Sequence, residues 1–192
     1  MKLFKITLLL LTIGLFSFST EDRNTEGQAI WTIVIHGGAG TILKENMSDE
    51  MENLYTEKLN EALEAASLIL SNEGSSLDAI CAAINIMEDS PLFNAGKGSV
   101  FTAEGVNEMD ASIMDGRDLY AGAVAGIRTV KNPVLAAREV MTNSAHVMLM
   151  GQGGDEFAKQ QGLEIVDSSY FFTERRWKSF QRANKDKFGT VG

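Results

Sequence analysis

Residues 107–138 read NEMDASIMDGRDLYAGAVAGIRTVKNPVLAAR. Asn107 to Met114 and Ala121 to Val130 are two strand candidates, and Asp115-Gly116-Arg117-Asp118 between them is a turn signal. The pair therefore reads as a hairpin. Asn132-Pro133 then opens a helix, with Asn132 as cap and Pro133 at the first position, where its missing N–H has no intrahelical partner to lose. Leu135, Ala136, Val140 and Met141 supply its apolar side.

Upstream, Ser75-Ser76-Leu77-Asp78 is a capping box with Asp in place of Glu, and the helix it starts runs through about Glu88. Ile80, Ala83, Ile84 and Met87 fall at helical spacing. Before it, Ser48 precedes Asp49, Glu50 and Glu52, a cap with acids in the first turn. That helix keeps an apolar face up to a stop at Gly74. Ala29 to Ile35 is a short β-branched run, read as a buried strand, and leads into His36-Gly37-Gly38-Ala39-Gly40. Downstream, His146 to Met150 is another short apolar run. Gly151-Gln152-Gly153-Gly154 reads as a turn before a helix starting near Asp155, and Thr173 to Lys185 as a last helix. The fold class is mixed α/β (α+β).

The 192 residues are 44% hydrophobic and 22% charged, a globular mixture rather than a disordered one. Lys+Arg number 17 against 26 Asp+Glu, for a net charge of -9. An acidic chain without a basic run is a poor ligand for phosphate backbones, which argues against nucleic acid. Cys81 is the single cysteine, and His36 and His146 are the two histidines, so disulfides and zinc clusters are excluded within the chain.

Residues 1–20 read as a signal peptide. Lys2 and Lys5 form a positive start, Ile6 to Phe18 is apolar but short for a bilayer span, and Ser17-Phe18-Ser19 offers small residues for cleavage. Export to the periplasm or the extracellular space is expected, with 21–28 as a flexible lead-in.

Six segments recur in one order. They are His36-Gly37-Gly38-Ala39-Gly40, Pro91-Leu92-Phe93-Asn94-Ala95-Gly96-Lys97-Gly98, Met109 to Gly116, Ala121 to Gly126, Asn132 to Arg138, and Gly189-Thr190-Val191-Gly192. In this combination the chain closely resembles the isoaspartyl peptidase/L-asparaginase family, the plant-type asparaginases, which are N-terminal-nucleophile hydrolases. The resemblance implies an αββα sandwich, of which 29–189 would be the α-subunit and 190–192 the first residues of a β-subunit. It implies self-cleavage at Gly189–Thr190, leaving Thr190 as nucleophile, and an (αβ)2 dimer. The substrate would be L-asparagine or a β-aspartyl dipeptide. These residues would hold the nucleophile without the rest of the pocket, so the chain alone is expected to be inactive.

A threonine hydroxyl is a weak nucleophile that needs a neighbouring base. The freed α-amine, with a pKa near about 8, can serve. By resemblance, Asn94 orients the threonine; a left-handed turn residue is the other reading of Asn94, and both can hold. His36, Gly37 and Gly38 resemble the precursor loop near the scissile bond, with no base role needed for His36. The backbone carbonyls of Met87, Glu88, Ser90, Phe93, Ala95 and Lys97 match the family's sodium loop. Carbonyl oxygens suit a hard cation; an ordinary Gly-rich loop is the alternative, and the charge of Lys97 is a departure. Asp110 reads as structural, Asp115 as a turn residue, and His146 as a core or strand-edge histidine. A glycosylasparaginase-type amidase and a catalytically inactive orphan α-subunit are the competing functions.

N-terminal sequencing of the exported protein should place the mature start between Thr20 and Asp22. Recovery of intact Met1 in the membrane fraction would instead mark an uncleaved anchor.

Overall fold

Ser48 has an extended backbone, and its Oγ accepts the Met51 N–H at 3.3 Å, capping α1, Asp49–Ser71. Asp49, Glu50 and Glu52 face the partial positive charge of that end. The computed structural model describes residues 31–38 and 47–188. The left-handed residue that ends α1 is Glu73, with φ 62°, rather than the expected Gly74. Gly74 still has a job, because its N–H donates to Ile69 O at 2.8 Å and a Cβ there would lie 2.4 Å from Ile69 Cγ2.

The capping box holds as read. Ser75 Oγ accepts from Asp78 N–H at 3.1 Å and donates to Asp78 Oδ2 at 2.6 Å, starting α2, Ser76–Glu88. The two helices meet through Ala62, Ala66, Ala79 and Ala83, all buried. Ile33 and Ile35 pack on this alanine contact, while Val34 between them is 85% exposed. The buried strand expected for 29–35 is therefore not present in the described part: residues 31–38 form no strand, and Val34 is open. No described residue pairs with their backbone, and a strand is defined by its neighbour. Residues 29 and 30, the leader and the lead-in lie outside the described residues, as do Ala39 and Gly40.

The hairpin forms from β1, Met109–Met114, and β2, Ala121–Ile127, paired antiparallel. Its connection is longer than the four-residue signal: Asp115 N–H donates to Tyr120 O at 2.8 Å, and Leu119 takes the left-handed conformation, φ 64°. Near Met109 the register slips so that Ala125 and Gly126 oppose Asp110 alone. This bulge uses φ 61° at Gly126, whose N–H donates to Asp110 Oδ1 at 2.8 Å. That contact gives Asp110 the structural role expected of it.

After α3, Pro133–Asn143, the chain returns as β3, Met148–Met150, parallel to β2. α4 is Gly151–Gln160, so the glycines expected as a turn form its first turn instead. One of them lets the helix lie against the sheet, since a Cβ on Gly154 would be 2.9 Å from Ile127 Cγ2. α5, Glu174–Phe188, is held by Phe101, Phe172, Trp177 and Phe180 in mutual ring contact. No described helix is long and apolar enough to cross a membrane.

One face of the sheet is core. Met109, Ile113, Val124 and Ile127 pack with Val134, Ala137 and Val140 of α3 and Ala158 of α4. The other face carries Met114, Ala121, Ala123, Ala125, Met148 and Met150. Its methionines are about half exposed or more, and no described element covers it. Among the described residues both β1 and β3 are edges.

α3 lies so close to β2 that a Cβ on Gly122 would fall 2.2 Å from Ala137 O and 2.4 Å from Met141 N. Gly122→Ala should therefore cost about 1–3 kcal/mol. Gly116→Ala, with nothing within 4 Å of the new carbon, should stay within about 0.5 kcal/mol. Urea midpoints of the two variants check this.

Candidate functional site

Between α2 and β1 the backbone leaves regular structure and folds on itself, and this is the loop that carries Asn94. The close approach depends on two glycines. Gly96 has φ 47°, and a Cβ there would lie 2.3 Å from Glu88 O. One on Gly98 would lie 2.1 Å from Phe93 O and 2.9 Å from Pro91 O. Phe93 is buried edge-on against Tyr55, with ring centroids 5.6 Å apart.

The outward carbonyls of the loop are met by side chains. Tyr55 Oη donates to Leu92 O at 2.7 Å. Arg175 Nη2 donates to the same oxygen at 2.6 Å, while its Nη1 donates to Tyr55 Oη at 3.1 Å. Arg176 Nε donates to Gly98 O at 2.6 Å. Asn107, which is buried, donates from Nδ2 to Ser99 O at 2.9 Å and to Val100 O at 3.3 Å.

Asn94 is exposed, and its Oδ1 accepts the Val100 N–H at 2.9 Å. That bond assigns the amide orientation and leaves Nδ2 as a donor with no partner among the described residues. Gly37 lies alongside, since a Cβ there would touch Leu59 at 3.5 Å and Phe93 at 3.7 Å. His36 is exposed, and its Nδ1 accepts Gly38 N–H at 3.2 Å. The loop that carries Asn94 is thus met by Gly37 at Phe93 and by the start of α5 at Leu92 and Gly98. Gly189 and Thr190 lie outside the described residues.

The six carbonyls matched to the sodium loop divide in two. Met87 O accepts from Ser90 N–H at 3.2 Å, and Ala95 O from Gly98 N–H at 3.0 Å. Those of Glu88, Ser90, Phe93 and Lys97 accept from no described residue. Open main-chain oxygens in a tight loop fit a hard cation. Among the described residues no group of three His, Cys, Asp or Glu could hold a metal by side chains. Lys97 does not point its charge at the loop: its Nζ sits 5.3 Å over the Tyr170 ring.

The side chain of Glu88 is a feature that sequence reading missed. It is 3% exposed, and Oε1 accepts the Val134 N–H at 3.0 Å. It therefore caps α3 in place of Asn132, whose Nδ2 donates to Asp89 Oδ1 at 3.1 Å instead. Burial pushes the Glu88 carboxyl up to about 8, and Oε2 has no partner among the described residues. Elsewhere, Asp115 binds Arg117 in the turn, as expected of a turn residue. His146 is exposed just before β3, so it is a strand-edge histidine and not a core one.

A family model described as Asparaginase matches residues 29–191. The chain is 44% identical over 160 residues to the isoaspartyl peptidase of Escherichia coli (strain K12), covering 83% of this chain and 49% of that protein. It is 48% identical over 149 residues to a plant-type L-asparaginase of Pyrococcus abyssi, covering 78% and 46%. To the isoaspartyl peptidase/L-asparaginase of Rattus norvegicus it is 40% identical over 155 residues, covering 81% and 45%. The chain spans about half the length of the curated relatives it matches.

The raised value at Glu88 has a definite sign. The folded state holds this proton more tightly than the unfolded chain, so the stabilisation is full below about 4.5 and is lost as pH rises towards about 8. Stability should fall by up to about 1.4 kcal/mol per pH unit across that window. Glu88→Gln, which keeps an acceptor for Val134, should remove the slope in urea titrations at stepped pH.

Proposed function

Because the chain belongs to the asparaginase family of N-terminal-nucleophile hydrolases, we propose that it supplies the α-subunit and the nucleophile of an enzyme acting on L-asparagine and β-aspartyl dipeptides. The observation that carries the reading is the reach of the family match, which continues through Val191 and so includes the Gly189–Thr190 bond. The Thr190 hydroxyl attacks the Gly189 carbonyl, the C–N bond breaks, and an ester joins Gly189 to Thr190 Oγ. Water opens that ester and leaves a free threonine amine. In the mature site this amine takes the hydroxyl proton as Oγ attacks the side-chain carbonyl of the substrate. Ammonia, or the amine of the next residue, leaves a β-aspartyl ester that water hydrolyses. Asn94 donates from Nδ2 to the nucleophile or the substrate.

When bound, sodium would supply a fixed positive charge in the loop and no acid–base chemistry. The carbonyls of Met87, Glu88, Ser90, Phe93, Ala95 and Lys97 would hold it. The partner half, absent from these 192 residues, would complete the pocket and cover the open face of the sheet, and two such αβ units would pair. Export belongs to the same proposal and rests on residues 1–20.

In the chain joined to the complementary half of its relatives, cleavage should yield a fragment ending at Gly189, and Thr190→Ala should leave one polypeptide. Mass spectrometry decides, and an identical cut in the alanine variant sinks the nucleophile. The 192 residues alone should release no ammonia from L-asparagine.

A further inference from the structure

Arg176 is half-buried, and both burial and the neighbouring Arg175 pull its pKa below the usual arginine value. Its tertiary hydrogen bond goes to a main-chain oxygen, Gly98 O, rather than to a carboxylate. A cation placed there works against its own desolvation, so net stability is a poor reason for its presence. What the bond does is local. Gly98, Ser99 and Val100 form one short stretch whose three carbonyls are held by Arg176 and Asn107. The Val100 N–H from the same stretch is the group that holds Asn94 Oδ1.

We propose that Arg176 is a positioning residue for Asn94: it fixes the Gly98 carbonyl, one peptide before the Ser99–Val100 unit that Asn107 holds, and with Asn107 it keeps the Val100 N–H on Asn94 Oδ1 and so sets the orientation of the Asn94 carboxamide. Arg175 steadies the other side of the loop through Leu92 O, together with Tyr55. The aromatic contacts of Trp177 and Phe180 with Phe101 keep this part of α5 in place. The last described side chains of the helix, Gln181 to Lys185, are mostly exposed. α5 therefore has an anchored start that orients Asn94 and a less anchored end that leads towards Thr190. On the hydrolytic reading, the helix that precedes the nucleophile in the chain would also set the amide beside it. The inference rests on the hydrolytic reading of Asn94.

The test is a double-mutant cycle in the protein joined to its complementary half, read with an isoaspartyl dipeptide. Arg176→Gln should lower kcat on the order of tenfold and leave KM within about twofold, since the loss is in orientation and not in substrate binding. In an Asn94→Ala background the same change should cost nothing further. Arg176→Lys, which keeps a donor but not the planar fork, should fall between wild type and Arg176→Gln and guards against a folding defect. Hydrogen exchange at the Val100 amide should speed up about tenfold or more in Arg176→Gln. Losses that multiply in the double variant, or Val100 protection that does not change, would overturn the inference. A wild-type protein without hydrolase activity would refute the enzymatic reading instead, and Val100 exchange would still decide whether Arg176 holds the Asn94 loop.

Discussion

Main-chain carbonyls outside the α-helices and strands organise the end of the molecule where Asn94 lies. A buried carbonyl without a donor costs about 1–3 kcal/mol, so the tight fold of residues 91–100 gains from each donor that meets one of their oxygens. Guanidinium groups from α5, a phenol from α1 and an amide from Asn107 do so on the outside. A turn of N–H groups meets two of the inner ones. Remove these donors and the close approach that Gly96 and Gly98 permit has nothing to sustain it. The loop is thus a product of distant elements, although its own sequence is what marks it.

That distinction separates what the sequence made legible from what it did not. Ser48, Ser75 with Asp78, and Pro133 were readable because each acts within one turn of itself. The hairpin was readable because its turn residues lie between two short apolar runs. The cap of α3 was not: Glu88 reaches Val134 across 46 positions, and Asn132 had the right chemistry at the right place. The 29–35 run shows the same limit from the other side. Its β-branched composition suits a strand, yet pairing depends on a neighbour that the run itself does not name.

Small residues mislead in a similar way. Gly151 to Gly154 looked like a turn because glycine is a poor helix former. The helix forms there because contact with β2 outweighs that cost, and at Gly154 the missing side chain is what makes the contact possible. At the candidate site the resemblance identified Asn94 and the 36–38 segment, and the structure puts Gly37 against Phe93, the residue before Asn94. Arg175 and Arg176 carried no signal at all, because a charged helix usually reads as a solvated face.

The open sheet face has a chemical consequence. Along β2 it presents Ala121, Ala123 and Ala125, a shallow trough between Met114 on one strand and Met148 and Met150 on the other. Methionine side chains adapt to whatever lies over them, so a covering layer could change by a methylene without losing contact. The same residues, 52%, 51% and 67% exposed, are open to oxidants. A sulfoxide is polar and resists burial. In an oxidising environment the face therefore has a limited lifetime as an apolar surface.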